Sequence, residues 1–508
     1  MEGGIMKIQC LSDEYWYGDC VKYGVKMPLS PMRESKLDLT INTTPNQASP
    51  VFLSSRGRVL FRKEGFPFIL KDGEIEVPSD CILTDTKGRL KEAYQFAIRE
   101  YSPFHKNMPN QKLFRHIQYN TWIELTFYQS EEAVLQYAER LLTDGFEPGI
   151  LMIDDGWSEY YGEWSFHSGR FRNPKGMIAK LHEMGFQVML WLCPFISPDS
   201  IRYRECRDLG LLIKTPQGEP FITDWWNGHS AVLDMTNENA KQWLKQQLTA
   251  LTKLGVDGFK FDAGDPIYYR TDNVTFRPTS PNEQSYLWSK FGEDYEYNEY
   301  RASFGTAGFG LLQRLCDKEH SFGEHGIASL IPDALLAGLL GFPYICPDMI
   351  GGGEYLSFQD KEKLDEELFV THAQIACLMP AMQFSALPGR VLSKENLQAI
   401  YHSLRVRQTY LPYILELVEQ VPQSGEPVLR YMAYEFPDEH LETVTDQFML
   451  GSRYLVAPLY RKGECSRDVY IPKGEWRCGA EVICSEGEVR KLRAERGIPL
   501  ILEKISSM

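Results

Sequence analysis

Between about residue 111 and about residue 411 the chain repeats one rhythm, a short apolar run followed by a segment of helical periodicity. GILMIDDGW precedes PKGMIAKLHEMG, QVMLWLCPF follows, and ENAKQWLKQQLTALTKLG leads straight into VDGFKFDAGD. Later come IPDALLAGLL, FPYICPDMIGG and ACLMPAMQFS. Short apolar runs bounded by Gly and Pro read as strands buried on both faces. Apolar residues three and four apart, closed by Gly, read as helices. Alternation over this length predicts a (β/α)8 barrel, with an open doubly wound sheet as the alternative. Length favours the barrel, and so do the acids that follow strand after strand: Asp154, Asp155, Asp262, Asp265 and Asp348. A barrel carries its active-site groups at the C-terminal strand ends.

The flanks lack this rhythm. Residues 1–110 hold VFLSSRGRVLFRK and FPFILKDGEIEVP, short runs broken by Gly, Pro and Asp, which predict an N-terminal β-sandwich. Residues 412–508 return to strand pairs such as QFMLGSRYLVAPLY and predict a C-terminal β-sandwich domain. The expected class is therefore α/β, a TIM barrel over 111–411 between two β-domains. A net charge of −15 argues against nucleic-acid and anionic membrane surfaces. No run of about 18 apolar residues suggests a membrane span. MEGGIMKIQCL lacks the basic segment and apolar run of a leader. The 11 cysteines are scattered without a CxxC pair, so reduced thiols and a cytoplasmic location are expected.

The chemistry concentrates at strand ends. In GVDGFKFDAGD, Lys260 and Asp262 are two apart on a strand and share a face, inward if that face lines the barrel. An ammonium nearby keeps a carboxylate ionised, as a nucleophile requires. The pair could equally be a structural ion pair. In IDDGW, Asp154 and Asp155 could accept hydrogen bonds from vicinal hydroxyls while Trp157 stacks on a sugar face. The alternatives are a turn with Trp157 in the core, or a divalent-cation site; the latter is disfavoured because no His or Cys clusters there. Trp191 lies near the end of the apolar run QVMLWLCPF, and Asp348 precedes a glycine run that would allow close backbone approach. The lysine and hydroxyl residue of a phosphate loop are missing.

Taken in order, NTWIEL, LMIDDGW, VMLWLCPF, GVDGFKFDAGD, SLIPDALLAGLLGFPYICPDMIGGG, LMPAMQFS and TDQFMLGSRYLVAPLY resemble glycoside hydrolase family 31. The resemblance covers nearly the whole chain and implies the same β-sandwich, barrel and C-terminal β-domains. It implies a retaining α-glycosidase whose nucleophile falls on Asp262. Retention needs a second carboxyl as acid and then base. The family's motif for it falls on CDKEHSFGEHGIASLIP, where Phe322 stands in place of a frequent Trp and no Asp follows Gly323. Glu324, beside His325, is the expected acid/base, with Asp317 and Glu319 as alternatives.

The IDDGW string resembles the α-galactosidase and myogenesis-associated branch of the family, and also the α-galactosidases of families 27 and 36. It favours an α-galactoside over an α-glucoside. A site that hydrogen-bonds one epimer's O4 leaves polar groups unpaired with the other, so discrimination can be large. Lys260 and Asp154 or Asp155 are expected to hold sugar hydroxyls, Trp191 to wall the sugar pocket, and Arg314 to contact substrate or pair an acid. No cofactor and no metal are expected. The expected ligand is a small oligosaccharide or glycoside, and a homo-oligomer is compatible with the sequence. A carbohydrate-binding pseudoenzyme and a transglycosylase are the competing readings.

Overall fold

A computed structural model describes residues 4–360 and 363–505. The barrel strands, numbered here in chain order, are β1 (Gln118–Asn120), β2 (Ile150–Ile153), β3 (Gln187–Leu192) and β4 (Gly258–Phe261), then β5 (Asn298–Tyr300), β6 (Gln313–Arg314), β7 (Ile345–Cys346) and β8 (Gln383–Phe384). They form one parallel sheet in the order β7-β6-β5-β4-β3-β2-β1-β8. The open edges meet. Met349 bridges Gln383 in parallel, Ile350 N donates to Gln383 O at 2.9 Å, and Ala381 N donates to Ile345 O at 3.1 Å. That ring closure distinguishes the barrel from an open doubly wound sheet.

Strand β4 shows how sequence sets orientation. Phe259 and Phe261 face outward into the helical layer, where the Phe261 ring stacks on Tyr300 at 5.0 Å and meets Trp288 at 5.5 Å. Burying such a ring contributes about 1.5–3 kcal/mol. The period of two then turns Lys260 and Asp262 into the lumen. The preceding helix, Glu238–Leu254, ends at Gly255, whose φ of +113° suits glycine alone without strain.

The N-terminal region packs two four-stranded antiparallel sheets. Phe52 of one and Phe68 of the other stack at 4.1 Å. The C-terminal region is a six-stranded antiparallel sheet with a two-stranded ribbon, Ser466–Ile471 and Glu488–Arg493, around a core containing Trp476. The expected junction at 411–412 falls inside a 31-residue helix, Lys394–Ser424, with Pro412 and Pro422 within it. The stretch QYNTWIEL forms β1 and then a helical turn at Trp122–Leu125. No helix among the described residues is long and apolar enough to cross a membrane.

The N-terminal region also braces the barrel mouth. Buried Gln47 donates through Nε2 to the carbonyls of Arg301 (2.9 Å) and Arg314 (2.8 Å), tying the ends of β5 and β6 together. Its 3-10 helix Val21–Lys26 lies on the barrel helix Ile327–Leu339. There Gly24 touches the backbone at Pro332 and Asp333, and a Cβ would collide with it.

Candidate active site

The C-terminal strand ends enclose a cavity of about 330 Å³. Asp262 sits in its wall directly after β4, 7% exposed. Oδ1 accepts from Arg301 Nε at 2.9 Å and from Ala263 N at 2.8 Å; Oδ2 accepts from Trp191 Nε1 at 2.9 Å. Burial alone would raise this carboxyl. The charges of Arg301, then Lys260 and Arg314, overcome that penalty and, with the indole hydrogen bond, hold it well below the usual carboxylate range. Ala263 has φ +53° and Gly264 φ +72°, so the chain leaves the strand in left-handed backbone immediately after the acid.

Lys260 lines the same cavity, but its direct partner is Asp154, at 2.6 Å from Nζ. Its support of Asp262 is the second charge, not the first. Asp154 also accepts from Asn120 Nδ2 at 2.7 Å and from Asp155 N at 2.8 Å. Asp155 faces the other way, accepting from Asn227 Nδ2 (2.7 Å) and Tyr161 OH (3.0 Å). Burial, and then the neighbouring Asp154, push it up to about 7. The two carboxyls of IDDGW therefore diverge onto separate partners and do not converge on one cation.

Trp157 departs from the sugar-stacking expectation. It is fully buried behind the cavity, donating from Nε1 to Trp191 O at 2.8 Å and packing on Phe166 at 4.9 Å. Gly156, at φ +92°, turns the chain and sends the indole into the wall. Trp191 does line the cavity.

Arg314, 1% exposed, forms part of the floor. Its Nη1 reaches Asp317 at 2.7 Å and Asp348 at 2.5 Å, and its Nε lies 3.4 Å from Glu299. Asp348 is not a cavity residue. It is wholly buried behind Arg314, at φ +71°, and accepts from Lys318 N at 2.7 Å. Asp317 and Asp348 share one guanidinium. Burial raises Asp348, whereas Arg314 lowers Asp317 against its own burial penalty.

Beside Asp154, Asp155 and Asp262, the cavity is lined by a fourth carboxyl, Asp317, whose side chain is 52% exposed. Glu324, the residue expected from the sequence, is exposed and lines a neighbouring groove instead, as does Glu319. The turn at Ser321–Gly326 carries Glu324 away from the strand ends, because Gly326 N and Ile327 N bond back to Gly323 O and Ser321 O.

Several cavity residues were not anticipated. Arg301, after β5, holds Asp265 with two 2.9 Å bonds, bonds Asp262, and donates to Pro45 O at 2.7 Å. Trp226, at the turn between Ile222–Trp225 and Gly228–Val232, is 48% exposed and lies 5.3 Å over the Arg301 guanidinium. Tyr268, Trp122 and Lys22 complete the rim. EYR after a polar strand was the available signal for Arg301; nothing local marks Lys22.

Two family models match the chain: the glycosyl hydrolases family 31 TIM-barrel domain over residues 111–314 and the family 31 C-terminal domain over 425–503. Together they cover more than half of it. The chain is 33% identical to the myogenesis-regulating glycosidase of Mus musculus over 396 residues, 76% of this chain and 55% of that one. It is 24% identical to alpha-glucosidase 2 of Bacillus thermoamyloliquefaciens over 386 residues, 69% of this chain and 47% of that one. It thus spans about half the length of these relatives. Among solved structures, a Flavobacterium johnsoniae family 31 dextranase complexed with glucose superposes with a TM-score of 0.85. That match covers 98% of this chain and 66% of the other at 20% identity. The matched domains and the shared architecture place one conclusion on firm ground: this chain belongs to glycoside hydrolase family 31.

Proposed function

We propose that the protein is a retaining exo-α-glycosidase acting through a glycosyl ester on Asp262. The observation that carries this reading is that two of the cavity's four carboxyls, Asp262 and Asp317, stand in different settings. Asp262 is buried, fixed by three donors and held ionised; Asp317 is half exposed on a shared guanidinium. Asp262 Oδ2, with one donor against two on Oδ1, attacks the anomeric carbon. The bond to the aglycone oxygen breaks, and that oxygen takes the proton of Asp317. Water then attacks the anomeric carbon, gives its proton to Asp317, and the ester bond to Asp262 breaks. Arg314 holds Asp317 low in the free enzyme, so delivery of its proton requires that substrate entry desolvate it.

For the sugar, the IDDGW string supports an α-galactoside first and an α-glucoside second. The pseudoenzyme reading rested on the lack of an acid at the expected place in GEHG; Asp317 supplies one in the cavity wall and favours turnover. A cytoplasmic location is supported by eleven cysteines, none paired.

The test is a panel of nitrophenyl α-glycosides, with the anomer released first followed by NMR. Turnover with an α-anomer product is expected. No turnover of any glycoside, or release of the β-anomer, overturns the reading. A tenfold preference for glucoside over galactoside overturns the sugar assignment alone. Asp317→Ala should lose activity toward poor leaving groups and recover it with added azide; recovery by azide in Glu324→Ala instead would return the acid/base to Glu324.

A further inference from the structure

The catalytic cavity does not stand alone. A groove of about 780 Å³, more than twice its volume, adjoins it. The two share Lys22, Cys316 and Asp317 in their walls. Asp317 is the residue that must face the leaving oxygen, so the space beyond it is where the leaving group lies. One wall of the groove is the N-terminal segment 22–37; the other is the loop after β6, which contains Glu319 and Glu324.

The groove's charges favour one kind of occupant. Lys22, Arg33 and Lys36 on the N-terminal wall make no ion pair with a described residue, and neither do Glu319 and Glu324 opposite. Ammonium and guanidinium groups only donate hydrogen bonds and carboxylates only accept them. Glu34 on the first wall and Lys318 on the second leave each with both charges but opposite in balance, which suits a ligand whose groups both donate and accept, as sugar hydroxyls do. A polyanion would be repelled by one wall and a polycation by the other.

Resting on the glycosidase reading above, we infer that this groove holds the leaving group, and that the leaving group is a neutral glycan of at least two sugars lying between segment 22–37 and the Glu319–Glu324 loop. GEHG, expected to supply the acid, would then recognise the leaving group instead.

The experiment is a chain-length series, from disaccharide to tetrasaccharide, with one terminal sugar and neutral units behind it. kcat/KM is expected to rise about tenfold from disaccharide to trisaccharide, the effect of roughly one added well-bound ring. In the double variant Arg33→Ala/Glu324→Gln the ratio of trisaccharide to disaccharide should fall to about one; single variants at each position, checked by thermal melting, guard against a misfolded double. A kcat/KM flat with length, or a ratio unchanged in the variants, overturns the inference. If no substrate turns over, the same series is read by calorimetric binding. Affinity rising with length there upholds the groove while the hydrolase reading fails, and affinity flat with length overturns both.

Discussion

Replacing Arg301 with Met tests the electrostatic account of the nucleophile most directly. Arg301 is 6% exposed and is the only cation in hydrogen-bond contact with Asp262 among the described residues; it also holds Asp265 bidentately. Its loss leaves two buried carboxylates without their closest counter-charge. Breaking a buried pair this way costs about 3–5 kcal/mol. Part of that cost appears as a rise in the Asp262 pKa, at about 1.36 kcal/mol per pKa unit. In the wild type the carboxyl is depressed, so its stabilising contribution is full above the unfolded carboxylate value and is lost as pH falls through the folded one. The variant should therefore be less stable at neutral pH, with the deficit narrowing below about pH 4, where the unfolded carboxyl also takes its proton. The acid limb of kcat/KM should move to higher pH. Arg301→Lys keeps the charge but not the two-pronged geometry, and should fall between wild type and Met. The assays are pH–rate profiles and denaturation midpoints across pH. If Arg301→Met leaves both the acid limb and the neutral-pH midpoint unmoved, Lys260 and Arg314 suffice and the argument is wrong.

Asp262→Asn should lower kcat by at least about a thousandfold, as loss of a covalent nucleophile does, and an unchanged rate would remove Asp262 from the chemistry. Asp155 stands near 7, and its protonated form accepts hydroxyl hydrogen bonds poorly. Product inhibition by the free sugar should weaken as pH falls from about 8 to about 6, and Asp155→Asn should flatten that dependence; a flat wild-type profile contradicts the assignment. Gly24→Ala should destabilise the chain by about 1–3 kcal/mol, because the Cβ collides with the Pro332 carbonyl and pushes the N-terminal helix off the barrel. An unchanged melting midpoint would mean that this contact does not couple the two regions.

The parts legible in the sequence were those where burial is uniform along a strand. β2, β3 and β4 are apolar runs, and every residue of β2 and β4 is buried. The two-residue period put Lys260 and Asp262 on one face, and the outward packing of Phe261 turns that face into the lumen. The rule fails where the strand ends. Trp157 lies beyond Gly156, whose positive φ reverses the side-chain sense, so an indole expected over the sugar lies behind it. Arg301 was missed because β5 is only Asn298–Tyr300 and carries Asn298 and Glu299 within it, which reads as loop. Asp317 was ranked below Glu324 because β6 is two residues long and gives no register from which to count to the cavity. The C-terminal junction was placed at 412 on the return of strand pairs, but the helix Lys394–Ser424 runs through it with Pro412 and Pro422 accommodated inside.

The charges around the cavity also explain why no single pair could have been read in isolation. Lys260, Arg301 and Arg314 face the carboxyls of Asp154, Asp262, Asp265, Asp317, Asp348 and Glu299, with Asp155 beside them. Three cations set against seven buried or half-buried carboxyls leave some of them without a close counter-charge. Burial weighs most on the carboxyls with the weakest claim on a cation. Asp155 has no cation in direct contact, Glu299 is 3.4 Å from Arg314, and Asp348 shares that guanidinium with Asp317; all three are raised. Asp262 is lowered because it touches Arg301 and lies within the fields of the other two cations. A net charge of −15 would by itself push the nucleophile the opposite way. Its ionisation is therefore set by local contacts, which salt screens far less than the surface charge. It is Arg301, not the sequence neighbour Lys260, that decides where the proton goes.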